Sequence, residues 1–274
     1  MLGAQMATDF SKLNKKGNFK IFNSSRKRSK NKIFFDVFNK KSYKNIEAIK
    51  PHYIINCIGL IKPRISINSS KSNIECLKVN SILPMYLSNN FKSSKIIHIS
   101  SDGVFNGFKG NYLETDKTSC TDIYGVSKNM GEIKKKNVMN IRCSIIGFEK
   151  KTSNSILNWF LKKNTKQISG YKDQFWNGIT THALSKICVG IINDKLFRNG
   201  LFHIFSKNKV TKYKLLCILN EFFDNNSKKI KPVNSGNPID MTLATIHKRY
   251  IFKIWKSSGY KSHPTIKYLI KELI

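Results

Sequence analysis

Short apolar runs alternate with longer mixed stretches along this chain, and the alternation predicts its main elements. Apolar runs at residues 53–57, 96–99 and 139–146 predict buried strands, and the mixed stretches 43–50 and 74–89 predict helices. Strands that alternate with helices in this order are typical of a doubly wound parallel sheet. We therefore expect an α/β fold built on such a sheet.

The same pattern extends to both ends of the chain. Residues 4–13 and 155–162 predict helices, residues 18–23 and 32–37 predict strands, and residues 200–206 are expected to return to the sheet. A chain of 274 residues is long enough for one large domain or for a larger domain with a small second lobe. We expect the second arrangement.

The most informative chemical feature is a tyrosine and a lysine four residues apart, Tyr124 and Lys128. If the segment from Ile123 onward is helical, both side chains lie on one face of that helix. An ammonium beside a phenol lowers the pKa of the phenol toward neutral pH, so that the tyrosine can act as a general acid. Ser101 follows the predicted strand 96–99, where its hydroxyl can hold the oxygen that this acid protonates.

The segment around these residues carries a specific pattern. Residues 98–132 read HISSDGVFNGFKGNYLETDKTSCTDIYGVSKNMGE. This stretch resembles the extended short-chain dehydrogenase/reductases, in particular the dTDP-4-dehydrorhamnose reductase branch, which acts on nucleotide sugars. The resemblance covers most of the chain, continuing at residues 54–59, 79–80, 140–147, 178–181 and 200–203.

The resemblance implies an NADPH-dependent reductase of a 4-keto nucleotide sugar, of the kind that serves dTDP-rhamnose and surface polysaccharide biosynthesis. By the resemblance, Tyr124 donates the proton, Lys128 lowers the pKa of that tyrosine and holds the nicotinamide ribose, and Ser101 hydrogen-bonds the carbonyl oxygen. Asn80 is expected either to brace the active-site strand or to be an ordinary core asparagine. The chemistry requires no metal.

The resemblance also divides the chain into an NADP-binding Rossmann domain, residues 1–147, and a substrate-binding lobe, residues 148–274. Arg26 and Arg28 follow the second predicted strand, where NAD-binding members carry an acid, and this favours NADPH over NADH. The residues assigned to the cofactor are Gly3, Arg26, Asp36, Val37, Asn56, Cys57, Ile58, Tyr124, Lys128 and Ile146. The residues assigned to the substrate are Asp102, Val104, Phe105 and Trp176.

The chain departs from the family at three places. Met1, Leu2 and Gly3 are similar to the end of the family's glycine-rich loop, so the first strand and the two leading glycines are not in this sequence. Either an internal methionine was taken as the start or the gene has decayed. Gly103 stands where close relatives have an aromatic or polar residue, and Met241 stands where many have an arginine that binds a diphosphate.

Two other classes of function stay open. An epimerase or dehydratase of the same superfamily uses the same fold, although Asp102 followed by Gly103 lacks the acid-base pair that dehydratases usually add. A non-catalytic protein that binds a sugar nucleotide or NADP is favoured by the absent glycines.

The composition changes this picture little. A net charge of +33 and a pI near 10.0 suggest a nucleic-acid or anionic-membrane partner. However, only six of the 49 basic residues are arginine, and the lysines are spread over every segment, as an A/T-biased coding sequence would produce. We therefore expect no nucleic acid and no membrane as partner, but a nucleotide-sugar substrate.

The remaining features are those of an ordinary intracellular enzyme. The six cysteines form no C-x-x-C pair and have no zinc-site spacing. No apolar run approaches the roughly 18 residues of a membrane span, and no signal peptide precedes the first helix. We expect a cytoplasmic location, and a homodimer is possible.

Overall fold

The computed structural model describes residues 2–14, 19–66, 68–149, 154–163, 165–224 and 226–274. Its strands are β1 (Ser24–Ser25), β2 (Ile33–Phe34), β3 (Tyr53–Asn56), β4 (Lys95–Ile99), β5 (Val138–Arg142), β6 (Ile145–Ile146), β7 (Gln167–Tyr171), β8 (Gln174–Trp176), β9 (Ile179–Thr180), β10 (Gly200–His203), β11 (Val210–Thr211), β12 (Lys229–Val233) and β13 (Ile239–Asp240). Its α-helices are α1 (Leu2–Leu13), α2 (Tyr43–Glu47), α3 (Ser70–Leu77), α4 (Leu83–Asn90), α5 (Ile123–Met130), α6 (Ile156–Lys162), α7 (Thr181–Asn193), α8 (Lys212–Phe223), α9 (Lys248–Ser257) and α10 (Ile266–Lys271).

A parallel four-stranded sheet forms the centre of the fold, in the order β10-β5-β4-β3. Its middle strands β4 and β5 are almost entirely buried, because helices cover both faces of the sheet. Along β4, Ile97 and Ile99 belong to the core on one face and Ile96 to the core on the other. The predicted doubly wound α/β fold is confirmed.

Different helices cover the two faces of this sheet. On one face, α1, α7 and α9 contribute Met6, Leu184 and Trp255 to the core that includes Ile97. On the other face, α4 contributes Leu83 and Leu87. We call the core that includes Ile97 the first core. Because α7, α9 and β10 all come from residues 148–274, the second half of the chain contributes to it. The division at residue 147 stays a prediction.

Strands β1 and β2 form a separate parallel pair, with Ser24 opposite Ile33. The predicted strand 18–23 is therefore wrong in position, since residues 19–23 are not a strand and residue 18 lies outside the described ranges. Phe19 and Ile21 instead pack their side chains against the first core. Among the described residues, β3 pairs only with β4 and forms an edge of the main sheet.

The segment from α3 to α4 is helical throughout, but a π-helical turn, Lys78–Ile82, interrupts it. Pro84 has no N–H to donate to the preceding turn, and the wider turn accommodates it. The predicted helix 74–89 is confirmed, with this interruption at its centre.

A second, smaller core lies in the part of the chain after residue 145. Helices α6, α8 and α10 pack around β7, β8 and β11 there, with Phe160, Trp176 and Leu219 among the buried side chains. Strand β8 pairs antiparallel with β11 and parallel with β13, and β7 pairs with β12. No helix in the described ranges is long and apolar enough to cross a membrane.

Candidate active site

The carboxyl end of β4 delivers a serine and an aspartate to the edge of the sheet. Ser101 has an extended backbone and caps a turn of 3-10 helix, and its Oγ accepts the Gly103 N–H at 3.0 Å. The same hydroxyl donates to Asp102 Oδ1 at 3.1 Å. Both Ser101 and Asp102 are buried. The serine hydroxyl is therefore held in place by its own turn.

Helix α5 brings the tyrosine and the lysine to this strand end. The helix begins where Asp122 accepts the Gly125 N–H at 2.9 Å, which confirms the helix predicted from residue 123. Tyr124 lies in its first turn and Lys128 one turn later, and we call these two residues the Tyr–Lys pair. The Tyr124 ring and the Ser101 hydroxyl both border Gly103, since a Cβ on that glycine would lie 2.8 Å from Tyr124 Cε1 and 3.2 Å from Ser101 Oγ. The structure thus brings all three predicted catalytic residues together.

Two glycines allow this close approach. A Cβ on Gly103 would lie 2.8 Å from Tyr124 Cε1, and a Cβ on Gly125 would lie 2.3 Å from the Gly103 carbonyl oxygen. Any larger residue at position 103 would displace the tyrosine ring. The departure at Gly103 therefore fits the position of Tyr124 in this chain.

Tyr124 is protonated near neutral pH. Burial raises its pKa well above the usual value, the hydrogen bond with Ser101 opposes this, and the negative charge of Asp102 raises the pKa further. The pKa of Tyr124 is therefore not brought down toward neutral pH in this structure, because burial is the largest influence on it, and the effect of Lys128 on the phenol stays a prediction. A neutral phenol is the form that a proton donor requires.

Lys128 is buried beneath the end of β4, with 4% of its surface exposed. Its Nζ donates to the Ile99 carbonyl oxygen at 2.6 Å. Burial lowers its pKa to about 8, while the carboxylate of Glu132 and the nearby thiols oppose that shift. The side chain is therefore still largely charged at neutral pH. Only one of its three N–H groups has an acceptor among the described residues.

The end of β3 lies beside the Tyr–Lys pair and carries the predicted cofactor residues Asn56, Cys57 and Ile58. The Asn56 side chain accepts the Ile58 N–H at 3.2 Å. The first turn of α1 approaches the same place, since a Cβ on Gly3 would lie 3.6 Å from Cys57 Cβ. Burial raises the pKa of Cys57 to about 12, although the charge of Lys128 opposes this, so that its thiol stays neutral. Ile146 lies in the second core, 1% exposed.

Sequence reasoning missed a buried histidine at this site. His98 lies opposite Asn56 in the sheet, and its Nδ1 is 3.1 Å from the Asn56 amide nitrogen. Burial, and then the charge of Lys128, lower its pKa well below the usual value, so the ring is neutral. Since Nδ1 accepts, Nε2 carries the proton, and it has no hydrogen-bond partner in the described structure. The signal for it in the sequence was a polar residue inside an otherwise apolar strand.

Asn80 braces a loop rather than the active-site strand. Its Oδ1 accepts the Leu60 N–H at 2.8 Å, and its Nδ2 donates to the Leu60 carbonyl oxygen at 3.0 Å. The same Nδ2 lies 3.0 Å from Ser127 Oγ on α5. Asn80 therefore ties the loop after β3 to the helix of the Tyr–Lys pair.

The predicted cofactor residues that follow β1 and β2 lie in a different part of the fold. Arg26 and Arg28 are exposed after β1, and the Arg28 guanidinium lies 5.3 Å from the centre of the Phe34 ring. The Asp36 carboxylate accepts a backbone N–H two residues on, and the Val37 carbonyl accepts a tyrosine hydroxyl. These contacts are local, and in the described ranges none joins these residues to the Tyr–Lys pair.

The predicted substrate residues divide into two groups. Trp176 is buried in the second core, with its ring 6.0 Å from Lys212 Nζ. Burial raises the pKa of Asp102, while hydrogen bonds from Ser101 and Ser144 and the charge of Lys212 oppose that shift.

Val104 and Phe105 have a different environment. Both are closed into a small apolar cluster with Tyr112 and Leu243, and the Phe105 ring stacks on Tyr112 at 4.0 Å. The structure gives these two side chains a packing role beneath the loop that follows Ser101.

A buried ion pair supports the strand ends. Arg142, at the end of β5, donates to Glu132 through Nε at 2.8 Å and Nη2 at 2.7 Å. Ser100, next to Ser101, donates to the same carboxylate at 2.6 Å. Sequence reasoning missed this pair, because residues 132 and 142 meet only when β5 folds back beside β4.

Comparison with known proteins identifies the family. The profile of the RmlD substrate binding domain matches residues 3–242. The chain belongs to this RmlD family. This match confirms the resemblance to the dTDP-4-dehydrorhamnose reductase-like family that the sequence predicted.

Two solved structures show the same fold as this RmlD family member. A dTDP-4-dehydrorhamnose reductase from Clostridium acetobutylicum is similar with a TM-score of 0.77 and 19% identity, over 98% of this chain and 94% of that chain. The dTDP-4-dehydrorhamnose reductase of Bacillus anthracis, solved in complex with NADP, has a TM-score of 0.78 and 18% identity, over 98% and 94% of the two chains.

The name of one curated relative describes a different role. The chain is 24% identical over 202 residues to methionine adenosyltransferase 2 subunit beta of Rattus norvegicus, covering 70% of this chain and 60% of the relative. The chain thus spans about 60% of the length of the curated relatives that it matches.

Proposed function

We propose that this chain reduces the ketone of a 4-keto nucleotide sugar with NADPH as the hydride source. The observation that carries the proposal is the meeting of Ser101, Tyr124 and Lys128 at the end of β4. A serine hydroxyl, a neutral phenol and a buried ammonium together form a device for protonating a carbonyl oxygen. Membership of the RmlD family supports the same class of reaction.

The residues around the Tyr–Lys pair fit the nicotinamide end of such a cofactor. Lys128 has two N–H groups without an acceptor in the described structure, and these suit ribose hydroxyls. The Nε2–H of His98 is a further buried donor without a partner. The N-terminal turn of α1, beside Cys57, suits a phosphate because its backbone N–H groups have no helical acceptor. Gly3 supplies one glycine of the cradle.

Each catalytic side chain has a separate role. When bound, NADPH supplies the hydride that reduces the keto carbon. Tyr124 donates its proton to the oxygen as negative charge develops there, and the Ser101 hydroxyl turns from Asp102 to donate a second hydrogen bond to the same atom. The charge of Lys128 then stabilises the phenolate that Tyr124 becomes.

Further observations support the finer assignments. Arg26 and Arg28 favour NADPH over NADH, because a guanidinium after the second strand suits a 2′-phosphate. The names of the structural neighbours favour dTDP as the nucleotide and rhamnose synthesis as the pathway. A cytoplasmic location and a homodimer are part of the same proposal.

A second candidate function is that of a non-catalytic subunit. The similarity to methionine adenosyltransferase 2 subunit beta favours it, since that name describes a subunit of another enzyme. Under this alternative the chain binds NADP, reduces no sugar, and forms a complex with a methionine adenosyltransferase. Co-elution of the two proteins, without NADPH oxidation, would support it.

NADPH absorbance, followed with a panel of 4-keto nucleotide sugars, tests the proposal. A reductase oxidises NADPH in proportion to the ketone consumed. An epimerase would change the sugar without net oxidation of NADPH. A binding subunit would leave both the sugar and the NADPH unchanged. Absence of oxidation with every sugar of the panel would contradict the proposal.

A further inference from the structure

A lysine of the predicted substrate-binding lobe interacts electrostatically with Asp102 of the site. Lys212 is the first residue of α8, whose cap is Thr211, with its hydroxyl accepting the Lys214 N–H at 3.1 Å. The preceding strand β11 pairs with β8, so that Val210 lies opposite Trp176. This register sets Lys212 Nζ 6.0 Å from the centre of the Trp176 ring.

The ammonium of Lys212 has no close anionic partner. No carboxylate of the described residues lies within 4.0 Å of it, and it makes no hydrogen bond there, although the side chain is largely enclosed. Asp102 acts on it electrostatically, but the carboxyl of Asp102 is already engaged by Ser101 and Ser144. Burial lowers the pKa of Lys212, which shows that removing this charge from water is unfavourable.

A partly buried ammonium without an ion pair is expected where a bound anion supplies the missing partner. Asp102 is adjacent to Ser101, so the free ammonium lies on the same side as the group that would hold the reacting oxygen. In a nucleotide sugar whose sugar is neutral, the diphosphate is the only strongly anionic part near the sugar.

We propose that Lys212 binds the diphosphate of the nucleotide-sugar substrate and thereby places the sugar against Ser101 and Tyr124. This inference rests on the proposed function. Trp176 provides an apolar wall beside the ammonium, where its ring face favours the cation and excludes water from the ion pair. Specificity for a diphosphate is then set by the lysine at the start of α8.

Calorimetry with thymidine diphosphate and with thymidine tests the inference in the absence of any reaction. We expect Lys212→Met to weaken thymidine diphosphate binding about 10- to 100-fold, as loss of a charged hydrogen bond predicts, and to leave thymidine binding unchanged. Lys212→Arg should retain most of the affinity. Lys214→Met, on the same helix but exposed, is the matched control and should bind like the wild type.

Thermal unfolding provides a second readout. If Lys212 had a structural role, Lys212→Met would lower the melting temperature. Because Lys212 is an enclosed cation without an ion pair, Lys212→Met should melt at the same temperature as the wild type or higher. A folded Lys212→Met protein that binds thymidine diphosphate like the wild type overturns the inference and leaves the proposed function standing. A lower melting temperature with unchanged binding also overturns it. Failure of the wild type to bind thymidine diphosphate contradicts the proposed substrate class itself.

Discussion

Replacing Glu132 by glutamine removes the charge that holds the ends of β4 and β5 in place. The carboxylate accepts two hydrogen bonds from Arg142, at 2.8 and 2.7 Å, and a third from Ser100 at 2.6 Å. The two charged side chains are only 8% and 4% exposed. Glutamine keeps the shape of the side chain, but it leaves the guanidinium buried without a counter-charge.

The cost of this change follows from that burial. Breaking a buried pair by removing one partner typically destabilises a protein by about 3–5 kcal/mol. At roughly 2–4 °C per kcal/mol for a chain of this size, the melting temperature should fall by roughly 6–20 °C. The Phe105 ring, 5.0 Å from the Arg142 guanidinium, is too weak a partner to replace the carboxylate.

Urea denaturation of Glu132→Gln measures the loss directly. Glu221→Gln is the control, because its ion pair with Lys267 is 41% and 56% exposed and should be worth less than about 1 kcal/mol. The double variant Glu132→Leu with Arg142→Met should recover much of the loss, since it leaves no unpaired charge. If Glu132→Gln unfolds within about 1 kcal/mol of the wild type, the reasoning about this buried pair is refuted.

Three further predictions concern the site. Gly103→Ala should lower kcat roughly 10- to 100-fold by displacing the Tyr124 ring, with NADPH affinity by fluorescence unchanged; an unchanged kcat would contradict the contact. Asn80→Ala should cost about 2–3 kcal/mol in urea denaturation, because it leaves the Leu60 backbone groups unpaired; a loss within error would show that water replaces the amide. Lys128 has a pKa lowered to about 8 in the folded protein, so NADPH binding should weaken as pH rises through about 8. In the unfolded state this lysine keeps its proton up to a pH of about 10.4. The fold should therefore gain stability as the pH rises from about 8 toward that value. Lys128→Met should abolish both the pH dependence of NADPH binding and this rise in the melting temperature.

The parts of the fold that could be predicted are those with a local signal. Strand β4 has an apolar run interrupted only by His98, and helix α5 begins at a capping aspartate and carries the Tyr–Lys pair at helical spacing. The strand predicted at residues 18–23 was misplaced because Phe19 and Ile21 alternate as a strand would, whereas they use their side chains to pack on the first core.

The parts that could not be predicted depend on contacts between distant residues. Lys212 is one of many lysines in the sequence, and only the pairing of β11 with β8 places it beside Trp176. The raised pKa of Tyr124 could not be predicted, because helical spacing says nothing of burial, which is the largest influence on the pKa of both Tyr124 and Lys128. His98 acquires its unpaired donor only when β3 lies beside β4.

The substitution Tyr124→Phe tests the central claim most directly, since it removes the proposed proton donor and little else. NADPH oxidation is measured at saturating 4-keto nucleotide sugar, with Tyr268→Phe, whose side chain is 54% exposed, as the control. The account predicts that kcat falls about 10²- to 10⁴-fold in Tyr124→Phe, that NADPH binding is nearly unchanged, and that the control matches the wild type. Wild-type turnover by Tyr124→Phe, on any sugar that the parent protein reduces, would contradict the account.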